Sequence, residues 1–294
     1  MPDVVIVGSI GIDAIKTPFG TAKDILGGSA IYASFAASFS ASAGVISVKG
    51  NDLADSELEF LRKRNVDLRG VQSKGKNFRW SGEYEYDMNE AKTISTELNS
   101  ISGFTPVIPE EYKKAKYLFL ANIDPAIQIE AMEAMEAPKL VVLDTMNLWI
   151  STKKELLLKV IKKTNILILN ESEARQLFKT PNIVKAAKYA LSLGPWAVII
   201  KKGEDGALLF TEKEVFSCPG YPLENVVDPT GCGDSFGGAF IGNYSKTKNL
   251  RKAIVYAAII ASFNAEGFGL SNLQKISKTD IKNRLAEMQK IRKF

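Results

Sequence analysis

The chain has 294 residues, 46% hydrophobic and 24% charged, with 38 Lys and Arg against 33 Asp and Glu for a net charge of +5. This is ample apolar material for the core of one large α/β domain. Histidine is absent, which excludes Ser-His-Asp and Cys-His catalysis and His-ligated metals, and leaves acid–base work to Asp, Glu, Lys or Tyr.

Val4-Val5-Ile6-Val7 followed by Gly8-Ser9-Ile10-Gly11-Ile12-Asp13 reads as an apolar strand ending in a glycine-rich turn and a carboxylate. The N-terminus lacks a basic region and is too short for a signal peptide. Gly27-Gly28-Ser29-Ala30 opens a small-residue helix over 31–42, followed by a strand at 45–48, a helix at 58–64 and a strand at 66–71. Residues 77–98 alternate aromatic with polar, the period of a hairpin, with Met88-Asn89-Glu90 as its turn. One face carries Phe78, Trp80, Tyr84 and Tyr86, allowing a bulge at Gly82. An aromatic face needs something to cover.

Strands at 117–121, 140–143 and 166–169 then alternate with helices at 127–135, 153–163 and 171–178. Strands apolar throughout and separated by helices form a parallel sheet covered on both faces. Its ligands gather at the strand carboxyl ends, where Asp13, Asn122, Asp124, Asp144 and Asn170 fall. Asn170 and Glu173 put an amide and a carboxylate one helical turn apart, which suits hydrated Mg²⁺; a helix capping box explains the pair equally well. A strand at 197–201 runs into a turn flanked by Gly203 and Gly206, with Lys201 able to pair with a phosphate. No P-loop motif is present.

A strand and turn over 220–227 lead to Asp228-Pro229-Thr230-Gly231-Cys232-Gly233-Asp234, and an apolar, small-residue helix follows. Glycines there allow a tight turn and close ligand approach, and free N–H groups at a helix start bind anions. Asp234 stands in the same place; an Asp at a helix start also reads as an N-cap. A carboxylate beside an anion hole makes sense if it takes a proton from a hydroxyl attacking phosphorus. A very apolar helix at 252–265, a closing segment at 266–273 and an amphipathic basic helix over 280–293 complete the chain. The basic residues are scattered on helical patterns, as on a solvated face rather than a nucleic-acid patch. Cys218 and Cys232 are the only cysteines, too few for a disulfide framework and in keeping with a reducing cytoplasm. No apolar run approaches the ~20 residues of a membrane span.

The stretch from Asp228 to Phe236 resembles the D-T-T-G-A-G-D-x-F signature of the ribokinase/PfkB family of sugar and nucleoside kinases. Gly27-Gly28 before an Ala-rich helix and N-x-x-E at Asn170 to Glu173 are similar to further motifs of that family, in the same order. The resemblance implies a ribokinase-like α/β fold: one domain over 1–294, with a mostly parallel sheet and a small β lid at about 76–98 plus part of 12–22. It implies transfer of the γ-phosphoryl of ATP to a hydroxymethyl group of a sugar, with a nucleoside kinase and a non-catalytic sugar-binding relative as alternatives. Asp234 would be the general base, with the N–H groups of Gly231, Cys232 and Gly233 as anion hole. Asp13, Gly27, Gly28, Tyr32 and Asn122 would meet the acceptor. Asn170, Glu173, Lys201, Gly203 and Gly206 would serve ATP and Mg²⁺, and Asp228 and Thr230 a monovalent cation such as K⁺. A homodimer through the lid is also implied. Three departures stand out: Tyr32 replaces the Asn of many sugar kinases, which points to a flatter or more apolar substrate; Lys201 replaces Thr in T-x-G-x-x-G; and Cys232 replaces Ala. A thiol at a helix start is either activated or a small buried residue.

Overall fold

Runs such as Val4–Val7, Tyr117–Leu120 and Leu140–Leu143 contain no polar residue, so they are stable only where both faces are covered. The computed structural model describes residues 1–291 and places them at the centre of a large sheet. In chain order the strands are β1 (Val4–Val7), β2 (Gly11–Thr17), β3 (Gly20–Gly27), β4 (Ala43–Lys49), β5 (Val66–Ser73), β6 (Phe78–Tyr84), β7 (Ala91–Glu97), β8 (Tyr117–Leu120), β9 (Leu140–Leu143), β10 (Ile166–Asn170), β11 (Ala197–Lys201), β12 (Ala207–Thr211) and β13 (Val215–Cys218). Nine of them form the sheet β13-β12-β11-β10-β9-β8-β1-β4-β5, parallel from β11 to β5, with β12 and β13 antiparallel at one edge.

Successive side chains of these strands feed two separate cores. Ile6, Phe119, Val142, Ile168 and Ile199 pack with the helices Ser29–Ala37, Cys232–Thr247 and Leu250–Asn264. Val5, Leu118, Val141, Leu167 and Val198 pack with Pro125–Glu133, Lys154–Lys162, Glu171–Phe178 and Ile183–Leu193. Gly238 lies so close to the Ser29–Ala37 helix that a methyl group there would stand 2.0 Å from the Ala33 carbonyl oxygen. This contact sets the two glycine-rich helix starts side by side.

The other four strands form a second, mixed sheet, β3-β2-β6-β7, in which β2 and β6 run parallel. The expected bulge is present as a register shift between Ser81 and Gly82. Three expectations change. Asp13 belongs to β2 of this small sheet rather than to the end of a central strand, because the chain leaves β1 at Val7 and turns before Gly11. Tyr86 lies beyond β6 and is 88% exposed, so it leaves the aromatic face. No strand forms over 220–227, where Pro222 removes a ladder donor. Several helices are also shorter than expected. The one foreseen at 31–42 ends at Ala37, and that at 58–64 is a single turn, Glu59–Arg62, after a 3-10 turn. The one foreseen at 153–163 forms as Lys154–Lys162, and a separate short helix, Asn147–Thr152, precedes it. The last helix is Lys278–Ile291; the remaining two positions of the expected 280–293 span lie outside the described residues. No helix among the described residues is long and apolar enough to cross a membrane.

Candidate active site

The start of the helix Cys232–Thr247 stands between two clefts. Gly231 and Asp234 line the first, of about 220 Å³, while Cys232 and Gly233 line the second, of about 370 Å³. Gly231 has φ +75, a left-handed conformation that a residue with a Cβ enters at a cost. A Cβ there would also sit 2.4 Å from the Tyr32 ring, which fills the space beneath the turn. The N–H of Cys232 donates to the Pro229 carbonyl at 3.1 Å, and that of Ser235 to Gly231 at 2.8 Å. Among the described residues the N–H groups of Gly231, Gly233 and Asp234 have no backbone acceptor outside the helix, whereas that of Cys232, one of the three expected amides, is engaged in the turn.

Burial pushes the Asp234 carboxyl up to about 7, helped by the negative charge of Asp144 and opposed by Lys201. Asp13, 4% exposed, faces the same cleft. Its carboxylate lies over Gly27, where a methyl group would stand 1.9 Å from Oδ2, and accepts from the backbone of Gly28. Burial and the charges of Asp234 and Asp228 raise it to about 7. Gly28, Tyr32 and Asn122 also line this cleft. Asn122 is oriented by Trp149, whose indole N–H donates to its Oδ1 at 2.9 Å. The Tyr32 hydroxyl is buried without a hydrogen-bond partner among the described residues. Much of the remaining wall is apolar and aromatic, including Phe78, Trp80, Leu98, Ile101, Met146 and Trp149, with Ser9, Ser29, Thr96 and Thr230 adding hydroxyls.

The second cleft brings together Asn170, Lys201, Gly203 and Gly206 at one end and Phe236, Ala258 and Ala261 on an apolar wall. Lys201 pairs with Asp144 at 2.9 Å, and its ammonium would meet a Cβ on Gly233 at 2.9 Å. Burial opposes its charge, but Asp144, Glu173 and Asp234 outweigh burial and hold its pKa above the usual lysine range. Its side chain is only 16% exposed. Asn170 and Glu173 do form a reciprocal cap: Oδ1 of Asn170 accepts from the Glu173 N–H, and Oε2 of Glu173 from the Asn170 N–H, each at 2.7 Å. Burial lifts Glu173 to about 8, against the pull of Lys201. One Glu173 oxygen remains outside the cap. Among the described residues no three acidic or thiol groups gather as a metal cage.

Sequence reasoning had placed Asp144 only at a strand end and missed its pairing with Lys201; the adjacency of β9, β10 and β11 creates it. Trp149 carried no sequence signal. Asp124, by contrast, is not brought to the site: it caps the helix Pro125–Glu133 and pairs with Lys153.

Residues 1–276 match the model of the pfkB family carbohydrate kinases. The chain belongs to the pfkB family. It is a phosphotransferase with an alcohol as acceptor, and the expected ribokinase-like fold is borne out. A cytidine kinase of Thermococcus kodakarensis is 28% identical over 260 residues, covering 86% of this chain and 92% of that one. A putative ribokinase II of E. coli, solved with ATP and Mg²⁺, superposes with a TM-score of 0.81 at 20% identity, covering 98% of this chain and 100% of that one. A nucleoside kinase of Burkholderia thailandensis, solved with inosine, gives 0.78 at 18% identity, covering 97% and 96%.

Two further residues of this pfkB-family kinase belong to the turn. Burial raises the Cys232 thiol to about 12, the direction of an unactivated thiol; Sγ lies 3.5 Å from the Ala261 carbonyl and 3.4 Å from the Asn264 amide. Alkylation at neutral pH should leave Cys232 unlabelled, as mass spectrometry of the treated protein would reveal, and C232A should keep full activity. Asp228 is fully buried, and both oxygens are taken, by the N–H groups of Thr230 at 2.9 Å and Gly269 at 3.1 Å. The Thr230 hydroxyl meets the Tyr84 hydroxyl at 3.3 Å. These contacts hold the turn.

The buried Lys201–Asp144 pair makes a stability prediction. K201M leaves an unpaired buried carboxylate and should cost roughly 3–5 kcal/mol, whereas K201M/D144L should recover most of it. Urea midpoints of the two variants provide the measurement, and equal midpoints would show that the pair carries no such cost.

Proposed function

We propose that this kinase transfers the γ-phosphoryl of ATP to the 5′-hydroxymethyl group of a nucleoside. The observation that carries the reading is the composition of the first cleft, with Asp13 and Asp234 facing it and an aromatic and apolar wall completing it. Carboxylates suit ribose hydroxyls, and flat aromatic side chains suit a base. Tyr32 in place of Asn, and a cytidine kinase among the relatives, support the nucleoside over the free sugar.

The acceptor hydroxyl gives its proton to the Asp234 carboxylate as its oxygen bonds to the γ-phosphorus. The bond to the β-γ bridging oxygen breaks, and ADP leaves with that electron pair. The N–H groups of Gly231, Gly233 and Asp234 donate to the transferring phosphoryl, where charge stabilisation acts in the transition state. The Lys201 ammonium, facing Gly233, adds positive charge on the donor side. The donor set fits a hydrated Mg²⁺ rather than a caged one, with Glu173 and Asn170 reaching it through water; it would offset charge on the β- and γ-phosphates. The apolar wall at Phe236, Ala258 and Ala261 would take the adenine. The small sheet acts as lid, since β6 and Leu98 supply much of the first cleft's wall.

A panel of cytidine, uridine, adenosine, inosine, ribose and fructose with ATP tests this. Nucleoside monophosphates should form, and little product should come from the free sugars. Turnover of ribose or fructose with none of the nucleosides would return the reading to a sugar kinase. D13N should raise the nucleoside KM by about 10- to 100-fold with a smaller effect on kcat, the worth of a hydrogen bond to a charged group. An unchanged KM would remove Asp13 from acceptor binding.

A further inference from the structure

The hairpin of β6 and β7 serves both clefts. Trp80 and Tyr84 on β6 and Thr96 on β7 line the first, while Asp87, Met88 and Asn89 in the connecting turn line the second. The turn is built locally: the Met88 N–H donates to the Glu85 carbonyl at 3.0 Å, and Met88 takes φ +53. At its base, Tyr84 meets Thr230 of the signature segment. At its tip, Asn89 rests on the Gly203–Gly206 turn. Its Oδ1 lies 2.0 Å from where a Cβ on Gly203 would stand, so only glycine admits the tip at this closeness. The Asn89 side chain makes no hydrogen bond among the described residues; its backbone N–H alone is engaged, with Asp87 at 3.4 Å. An amide with two donors is thus held against the edge of the donor cleft by packing alone.

We propose that Asn89 is a nucleotide-site residue: its amide donates to a phosphate or ribose oxygen of the bound donor and so ties the hairpin to the nucleotide. Asn suits the position because a neutral donor pays little to lie beside a polyphosphate, whereas a carboxylate there would be repelled. The consequence is coupling. A nucleotide that fixes the turn also fixes the strands that carry Trp80 and Tyr84, so donor binding prepares the acceptor wall. By linkage the acceptor tightens the donor by the same factor. The inference rests on reading the second cleft as the nucleotide site.

The test uses AMP-PNP with Mg²⁺ and no acceptor, which keeps it independent of the acceptor's identity. Hydrogen exchange over residues 78–97 should slow on adding AMP-PNP to the wild-type protein and stay unchanged in N89A. The AMP-PNP affinity of N89A should fall by about 2- to 12-fold, the worth of one hydrogen bond. N89D, which keeps the shape and the oxygen but loses the donor, should bind more weakly than N89A. A merely structural tip would instead tolerate N89D. Wild-type affinity in N89A and N89D, or tight AMP-PNP binding that leaves exchange over 78–97 untouched, overturns this inference alone. Failure of the wild-type protein to bind AMP-PNP overturns it together with the donor-cleft reading.

Discussion

D234N should lower kcat by about 10²- to 10⁴-fold, the usual worth of a positioned general base, with AMP-PNP affinity and melting temperature close to wild type. The substitution keeps shape and removes only proton-accepting power. It is the sharpest test because Asp234 faces the first cleft while its own N–H belongs to the cradle between the clefts. The pH dependence has a definite sign. With the Asp234 carboxyl raised to about 7, kcat/KM should climb with pH and level off above it, as the base must be deprotonated. Asp13 is raised to a similar value, chiefly by burial and partly by the charge of Asp234. D234N should lose that rise. Stability should move the other way. Between about pH 4 and pH 7 the folded protein keeps protons on these carboxyls that the unfolded chain has released, so stability falls as pH rises through that window. The melting temperature should therefore drop from pH 5 to pH 8, by less in D234N. Near wild-type turnover in D234N would exclude the carboxylate as base.

G231A is expected to damage both fold and rate. The left-handed backbone costs a non-glycine residue about 1–2 kcal/mol, and forcing a methyl group against the Tyr32 ring adds about 1–3 kcal/mol. A melting temperature lower by roughly 3–8 °C follows for a chain of this size. The rate should suffer separately, because a cradle amide displaced by 1 Å loses on the order of 10² in rate. Adding Y32L makes room for the methyl group while leaving the backbone strained. G231A/Y32L should recover part of the melting temperature and little of the rate. Wild-type stability and turnover in G231A would mean that neither the backbone conformation nor the Tyr32 contact matters.

The parts that could be read in the sequence are those encoded by local pattern. Runs without a polar residue announced the parallel sheet, since nothing else buries Val4–Val7 or Leu140–Leu143 on both faces. The glycine-rich segment ending in Asp234 announced a sharp turn and a helix start, because few other sequences take that backbone. Local pattern was less reliable where two physical readings coincide. Asn170 and Glu173 were open between a cap and a magnesium site; the reciprocal cap is present, and it leaves one carboxylate oxygen outside it. Cys232 was open between activation and burial; it is half-buried at the edge of the second cleft, with Sγ packed against the Ala261 carbonyl and the Asn264 amide.

By itself the sequence determined the layered α/β architecture, the family and the segment that carries the acid, all properties of residue order and backbone preference. Only the tertiary structure decided which groups meet. Lys201 finds Asp144 because β9, β10 and β11 lie side by side. Asp13 reaches Asp234 from a second sheet, and Asn89 lands on Gly203 across more than a hundred residues of chain. Charge pairing and close approach act through space, and strand order, not spacing along the chain, sets those distances.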